Sequence, residues 1–168
     1  MMEITLDMLL ASREKRWNLQ RQFIQENPGL TLVCLTVIMP GNIKRNASSL
    51  IVANAAIVAL QEKFGLHICQ QELLDLETGY EAYFLIELPL LECKQMACEI
   101  EDNHPLGRLF DIDVIDENVA PVSRSAIGKK GRKCLLCEHE ARYCMRNHTH
   151  SREELQQKIN QMIDAYAQ

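Results

Sequence analysis

Residues 5–26 (TLDMLLASREKRWNLQRQFIQE) set Leu6, Leu9, Leu10, Trp17 and Phe23 among charges at roughly helical spacing, which predicts an amphipathic helix. Asn27-Pro28-Gly29 stops it. Residues 30–39 (LTLVCLTVIM) are apolar and β-branched without helical spacing and end at Pro40-Gly41, the pattern of a buried strand followed by a turn. Ser48 or Ser49 can cap the next helix, which runs through SLIVANAAIVALQEKF and ends at Gly65. Strand-like segments at 66–76 and 80–88 flank Glu77-Thr78-Gly79, a hairpin loop. Pro89 can open a helix over about 90–101, Leu109 to Ile115 reads as a last strand, and a final helix covers about 151–166.

The order is helix, then β-α-β-β-α-β, then a cysteine-rich segment and a helix. It predicts an α+β fold with a ferredoxin-like βαββαβ core. At 168 residues the chain can bury one sizeable core, so a single domain over 1–168 is expected: an N-terminal helix (1–28), the α+β core (29–122) and a Cys/His-rich segment with the C-terminal helix (123–168). In that topology the last strand lies antiparallel beside the first. Two loops distant in sequence, PGNIKR at 40–45 and HPLGR at 104–108, should therefore meet.

Composition narrows the function classes. A net charge of −5 disfavours a general nucleic-acid binder. No run approaches the roughly eighteen apolar residues of a membrane span, and the N-terminus opens on Glu3 and Asp7 where a secretion signal is basic. Seven cysteines without such a signal point to the cytoplasm and to reduced thiols that can bind metal.

Four groups of residues carry candidate chemistry. In His104-Pro-Leu-Gly107-Arg108-Leu-Phe-Asp111-Ile-Asp113-Val, strand alternation sends Phe110, Ile112 and Val114 to one face and both aspartates to the other. Adjacent carboxylates repel unless a cation joins them, and hard oxygen ligands suit Mg²⁺ held with a substrate phosphate. On its own the pattern better describes a solvated strand face; Arg108 at the strand entrance, after a glycine that lets backbone approach a ligand, narrows the gap to a site. Lys44 in the 40–45 turn and Arg13, Arg16 and Gln20 on the first helix are either surface groups or polyphosphate ligands. Cys134, Cys137 and Cys144, with His150 or His148 as fourth ligand, have the spacing of a closed structural zinc shell. The basic run 128–133 is a solvated loop or a receiver for an acidic carrier protein or a nucleotide phosphate.

Across nearly its whole length the chain resembles citrate lyase holo-[acyl-carrier protein] synthases, the apo-citrate lyase phosphoribosyl-dephospho-CoA transferases. The resemblance is carried by Ser12-Arg13-Glu14 with Arg16 and Gln20, Pro40-Gly41 with Ile43-Lys44, Asn54, the His104–Leu109 block with Asp111-Ile-Asp113-Val, Ser123-Arg124, and Arg132 with Cys134-Leu-Leu-Cys137, Cys144, Arg146 and His150. It implies attack by a serine of the apo acyl-carrier subunit on the donor 2'-(5-triphosphoribosyl)-3'-dephospho-CoA, with loss of pyrophosphate. Asp111 and Asp113 would then hold Mg²⁺, Arg108, Lys44, Arg13 and Arg16 would bind donor phosphates with Gly107 and Arg124 beside them, and His104 would accept the serine's proton. Two rivals remain: a zinc-containing RNA-binding module, which needs aromatics on the central strands, and a non-catalytic assembly factor for a carrier-protein complex.

Overall fold

The structure is a computed structural model describing residues 1–168. Four strands, β1 (Thr31–Val37), β2 (Ile68–Leu76), β3 (Gly79–Ile86) and β4 (Phe110–Ile115), form one antiparallel sheet in the order β2-β3-β1-β4. Helices α2 (Ala47–Phe64), α3 (Leu90–Asn103) and α5 (Arg152–Ala167) supply apolar side chains to the main core on one face. Helix α1 (Leu6–Glu26) lies on the other face, and a short α4 (Ala141–Asn147) sits in the cysteine-rich segment, where no helix was expected.

Alternation explains the two faces. Val33, Leu35, Ala82, Phe84, Ile86, Phe110, Ile112 and Val114 point into the 22-residue core with the helices. On the second face Leu32, Cys34, Tyr83, Leu85 and Ile115 gather around Phe23 of α1 in a cluster of only six buried residues. The cap of α2 falls earlier than expected: Asn46 is the N-cap and accepts from Ser49 N–H at 2.8 Å, while the Ser49 hydroxyl accepts from Asn46 N–H at 2.9 Å. Helix α2 and the turn after it, Ala47–His67, are apolar enough to span a membrane by composition alone, with a mean hydropathy of 1.3. The expectation of no such run undercounted its alanines, which serve close packing: Val52, Ala53, Ala56 and Leu60 are fully buried against the sheet.

The exit of β1 does meet the entrance of β4, where Ile38 N–H donates to Leu109 O at 2.9 Å. Edge strand β4 is also closed along its outer side. Phe110 O accepts from Arg132 (2.7 Å), Ile112 N–H donates to the Glu101 carboxylate (3.1 Å) and Val114 O accepts from Val122 N–H (2.8 Å).

Candidate functional site

Sheet register orders the second face into three rungs. Glu81, Thr36 and Asp111 lie side by side across β3, β1 and β4; Tyr83, Cys34 and Asp113 form the next rung, and Leu85, Leu32 and Ile115 the third. The face thus grades from polar at the end where β1 exits to apolar at the other. Helix α1 matches the gradient: Ser12 bonds Thr78 (3.2 Å), Arg16 bonds Glu81 (3.1 Å), Gln20 donates to Cys34 Sγ (3.6 Å), and Phe23 stacks on Tyr83 with ring centroids 5.5 Å apart. The helical face carrying Arg16 and Gln20 therefore turns toward the carboxylates, whereas Arg13 is exposed and unbonded.

Asp111 is exposed and takes a long hydrogen bond from the Thr36 hydroxyl (3.4 Å); Asp113 is half-buried beside it. Burial, and then the charge of Asp111, push the Asp113 carboxyl up to about 6. Burial, with Asp113 adding to it, holds the Cys34 thiol neutral far above the ordinary range. Glu81 was missing from the sequence reading: it is 4% exposed, accepts from Arg16 on one oxygen and takes the Tyr83 hydroxyl at 2.5 Å on the other. Nothing in GYEAYFLI separates it from a surface glutamate; only pairing with Thr36 sets it on the rung of Asp111.

The remaining candidates divide. Arg108 precedes β4 and donates through Nε to Lys133 O at 2.7 Å. Lys44 turns back to Met39 O at 2.5 Å, and burial with nearby Arg152 pulls its ammonium below the ordinary lysine range. Arg124 and Arg132 clamp Glu101, which is 7% exposed, at 2.9 and 3.2 Å. Gly107 packs rather than opens a ligand approach, because a Cβ there would lie 2.3 Å from Glu101 O. The His104 ring packs at a tilt of 44° and 46° against Phe110 and Tyr166, on the face of β4 opposite the aspartates, and burial lowers its pKa.

In the cysteine-rich segment, one ligand atom from each of Cys134, Cys137, Cys144 and His150 lies within 4.8 Å of all the others, a group that could hold a metal ion such as zinc. Cys137 Sγ is 3.4 Å from Cys144 Sγ and 3.4 Å from His150 Nε2, near the ~3.8 Å sulfur–sulfur edge of a zinc tetrahedron. Burial raises the Cys134 thiol, but amide hydrogen bonds from Leu136 and Cys137, together with the Cys144 and Cys137 thiols, outweigh it and bring the thiol to about 7. His148 ends α4 in the left-handed conformation (φ 47°) and is exposed; the turn it makes carries His150 into the group.

Asp111 and Asp113 lie on the sheet face that α1 packs on with Arg16, and a Cys₃His group sits in the C-terminal segment of this small α+β protein. The family description "Apo-citrate lyase phosphoribosyl-dephospho-CoA transferase" matches residues 4–166. A relative from Vibrio cholerae serotype O1 (strain M66-2), named a probable apo-citrate lyase phosphoribosyl-dephospho-CoA transferase, is 39% identical over 170 residues, covering 99% of this chain and 95% of its own. The Escherichia coli O7:K1 (strain IAI39 / ExPEC) enzyme of the same name is 34% identical over 164 residues, covering 96% and 89%. A Streptococcus pyogenes serotype M18 (strain MGAS8232) relative, again named as probable, is 34% identical over 167 residues, covering 97% and 87%. The chain belongs to the apo-citrate lyase phosphoribosyl-dephospho-CoA transferase family.

Proposed function

We propose that this chain, acting as one transferase domain in the cytoplasm, moves the phosphoribosyl-dephospho-CoA group from 2'-(5-triphosphoribosyl)-3'-dephospho-CoA to a serine of the apo acyl-carrier subunit of citrate lyase. The family match over residues 4–166 carries this reading. The serine oxygen bonds to the phosphorus next to the ribose, the bond from that phosphorus to the pyrophosphate oxygen breaks, and the serine's proton is released. Mg²⁺ at Asp111 and Asp113 would neutralise charge on the phosphate oxygens. Exposed Asp111 beside half-buried Asp113 fits that ion: a divalent charge would offset the burial of Asp113 and the repulsion from Asp111 that together lift its carboxyl. Arg16 flanks the polar rungs and Arg108 stands at the head of β4, so these two are the first choices for donor phosphates. Lys44 and exposed Arg13 are outer candidates, and Gly107 and Arg124 act by holding the β4 entrance. His104 packs against Phe110 on the far side of β4 from the aspartates, which counts against its taking the serine's proton.

Strand order β2-β3-β1-β4 supports reading the core as ferredoxin-like. The Cys134, Cys137, Cys144 and His150 group supports structural zinc, and seven free cysteines support a reducing compartment. An RNA platform needs exposed aromatics on the sheet, yet Tyr83 is 1% exposed and Phe110 lies in the main core. The test is incubation with apo carrier protein, donor and Mg²⁺, followed by intact-mass measurement and pyrophosphate assay. A carrier mass increase matching the prosthetic group with equimolar pyrophosphate is expected; an unchanged carrier mass would leave only the assembly-factor role.

A further inference from the structure

Arg16 and Arg108 share a mode of attachment that the other hydrogen-bonded arginines lack. Each is held by Nε alone, Arg16 by the Glu81 carboxylate and Arg108 by Lys133 O. Their terminal nitrogens make no hydrogen bond to the protein. Arg45, Arg124 and Arg132 instead commit terminal nitrogens to Asp75, Glu101, Asp102, Phe110 O and Gly107 O. A guanidinium gripped at Nε keeps free the fork that meets two phosphate oxygens at once.

At Arg16 the grip is itself built. The Glu81 carboxylate is buried, and its second oxygen is fixed by the hydroxyl of Tyr83, which is 1% exposed. We propose that Glu81 is a positioning residue of the transferase: fixed by Tyr83, it holds Arg16 through Nε so that the free edge of the guanidinium meets a phosphate of the polyphosphate donor above the polar rungs. The proposal rests on the reading of that face as the reacting surface. Ordering the long arginine side chain before the ligand arrives removes an entropic cost from binding. Glu81 does not act through the metal, because it lies two strands, about 10 Å, from Asp111 and both its oxygens are occupied.

An ion pair that merely anchors α1 would affect stability alone. The test uses the full chain and reads magnesium-pyrophosphate binding by calorimetry together with donor KM and kcat, for wild type, Glu81→Gln, Glu81→Asp, Arg16→Ala and the Arg16→Ala/Glu81→Gln pair. Glu81→Gln should weaken pyrophosphate binding and raise donor KM about tenfold, the scale of one charge-assisted hydrogen bond, with a smaller change in kcat. In the Arg16→Ala background it should add nothing. Glu81→Asp keeps the charge but retracts it by one methylene, so it should shift binding the same way and covers the case in which the glutamine variant does not fold. Wild-type pyrophosphate binding in either Glu81 variant, with Arg16→Ala impaired, would reduce Glu81 to an anchor and overturn the proposal. Wild-type binding by Arg16→Ala would also overturn it, even with the Asp111 variant inactive. Normal transfer by Asp111→Asn and Asp113→Asn would instead show that the reading of the face is at fault.

Discussion

At Asp113, burial and the neighbouring Asp111 act in the same direction, and the carboxyl titrates near 6 where an ordinary aspartate titrates at 3.8. In the metal-free protein the folded chain keeps a proton between those values that the unfolded chain has released. Stability therefore falls as pH rises through that window and stays lower above it, by roughly 2–3 kcal/mol. Asp113→Asn removes the titration. In chelator at pH 8 it should melt several degrees above wild type, at about 2–4 °C per kcal/mol, and at pH 4 the two should coincide. Single-turnover transfer in Mg²⁺ should nonetheless drop by orders of magnitude, because the ion that neutralises the phosphate oxygens is lost or displaced. Equal melting of the two proteins at pH 8 would contradict the repulsion; near-normal transfer would remove this strand from the active site.

The knuckle is the element where local spacing spoke most clearly and tertiary contacts least. Cys134-Leu-Leu-Cys137 folds on itself, with Cys134 N–H donating to His139 O at 2.7 Å, so its geometry was legible from short-range sequence. The choice between His148 and His150 was not, because it depends on the left-handed end of α4, a helix too short to show a period. The strands and long helices were likewise legible, since alternation and helical spacing follow from burial on one side. What escaped were buried polar groups, Glu81 and Glu101, whose cationic partners Arg16, Arg124 and Arg132 lie 20 or more residues away in sequence. If the Cys134, Cys137, Cys144 and His150 group holds zinc, its binding contributes to folding, and the purified protein should carry about one zinc. Cys137→Ser and His150→Ala should lose it and His148→Ala should keep it, by metal analysis. In hydrogen exchange the zinc-free variants should open residues 133–150 while β1 and β3 stay protected. A zinc-free wild type with this segment protected would rule the site out.

For the molecule as a whole, Glu101 ties three parts of the chain together at one carboxylate. It projects from α3, completes the outer edge of β4 at Ile112 N–H, and binds Arg124 and Arg132, which bring residues 123–133 and the knuckle onto that edge. Two cations on one buried anion leave the cluster with a net positive charge, which Asp102 eases by pairing with Arg124 at 3.0 Å and Lys129 at 3.1 Å. Removing the anion is therefore worse than removing one cation, because two guanidiniums lose the same carboxylate and a strand N–H loses its acceptor at the same time. Glu101→Ala should destabilise the protein by about 3–5 kcal/mol in urea denaturation. Arg124→Ala should cost less, since Arg132 still neutralises Glu101. Glu101→Ala also frees Ile112 N–H on the outer edge of β4, the strand that carries both aspartates, and an uncovered edge pairs with other strands. Near its midpoint Glu101→Ala should thus self-associate on size exclusion while Arg124→Ala, compared at equal fraction unfolded, stays monodisperse. If the two variants behave alike in both measurements, the closure of β4 depends on the strand's own packing and not on this carboxylate.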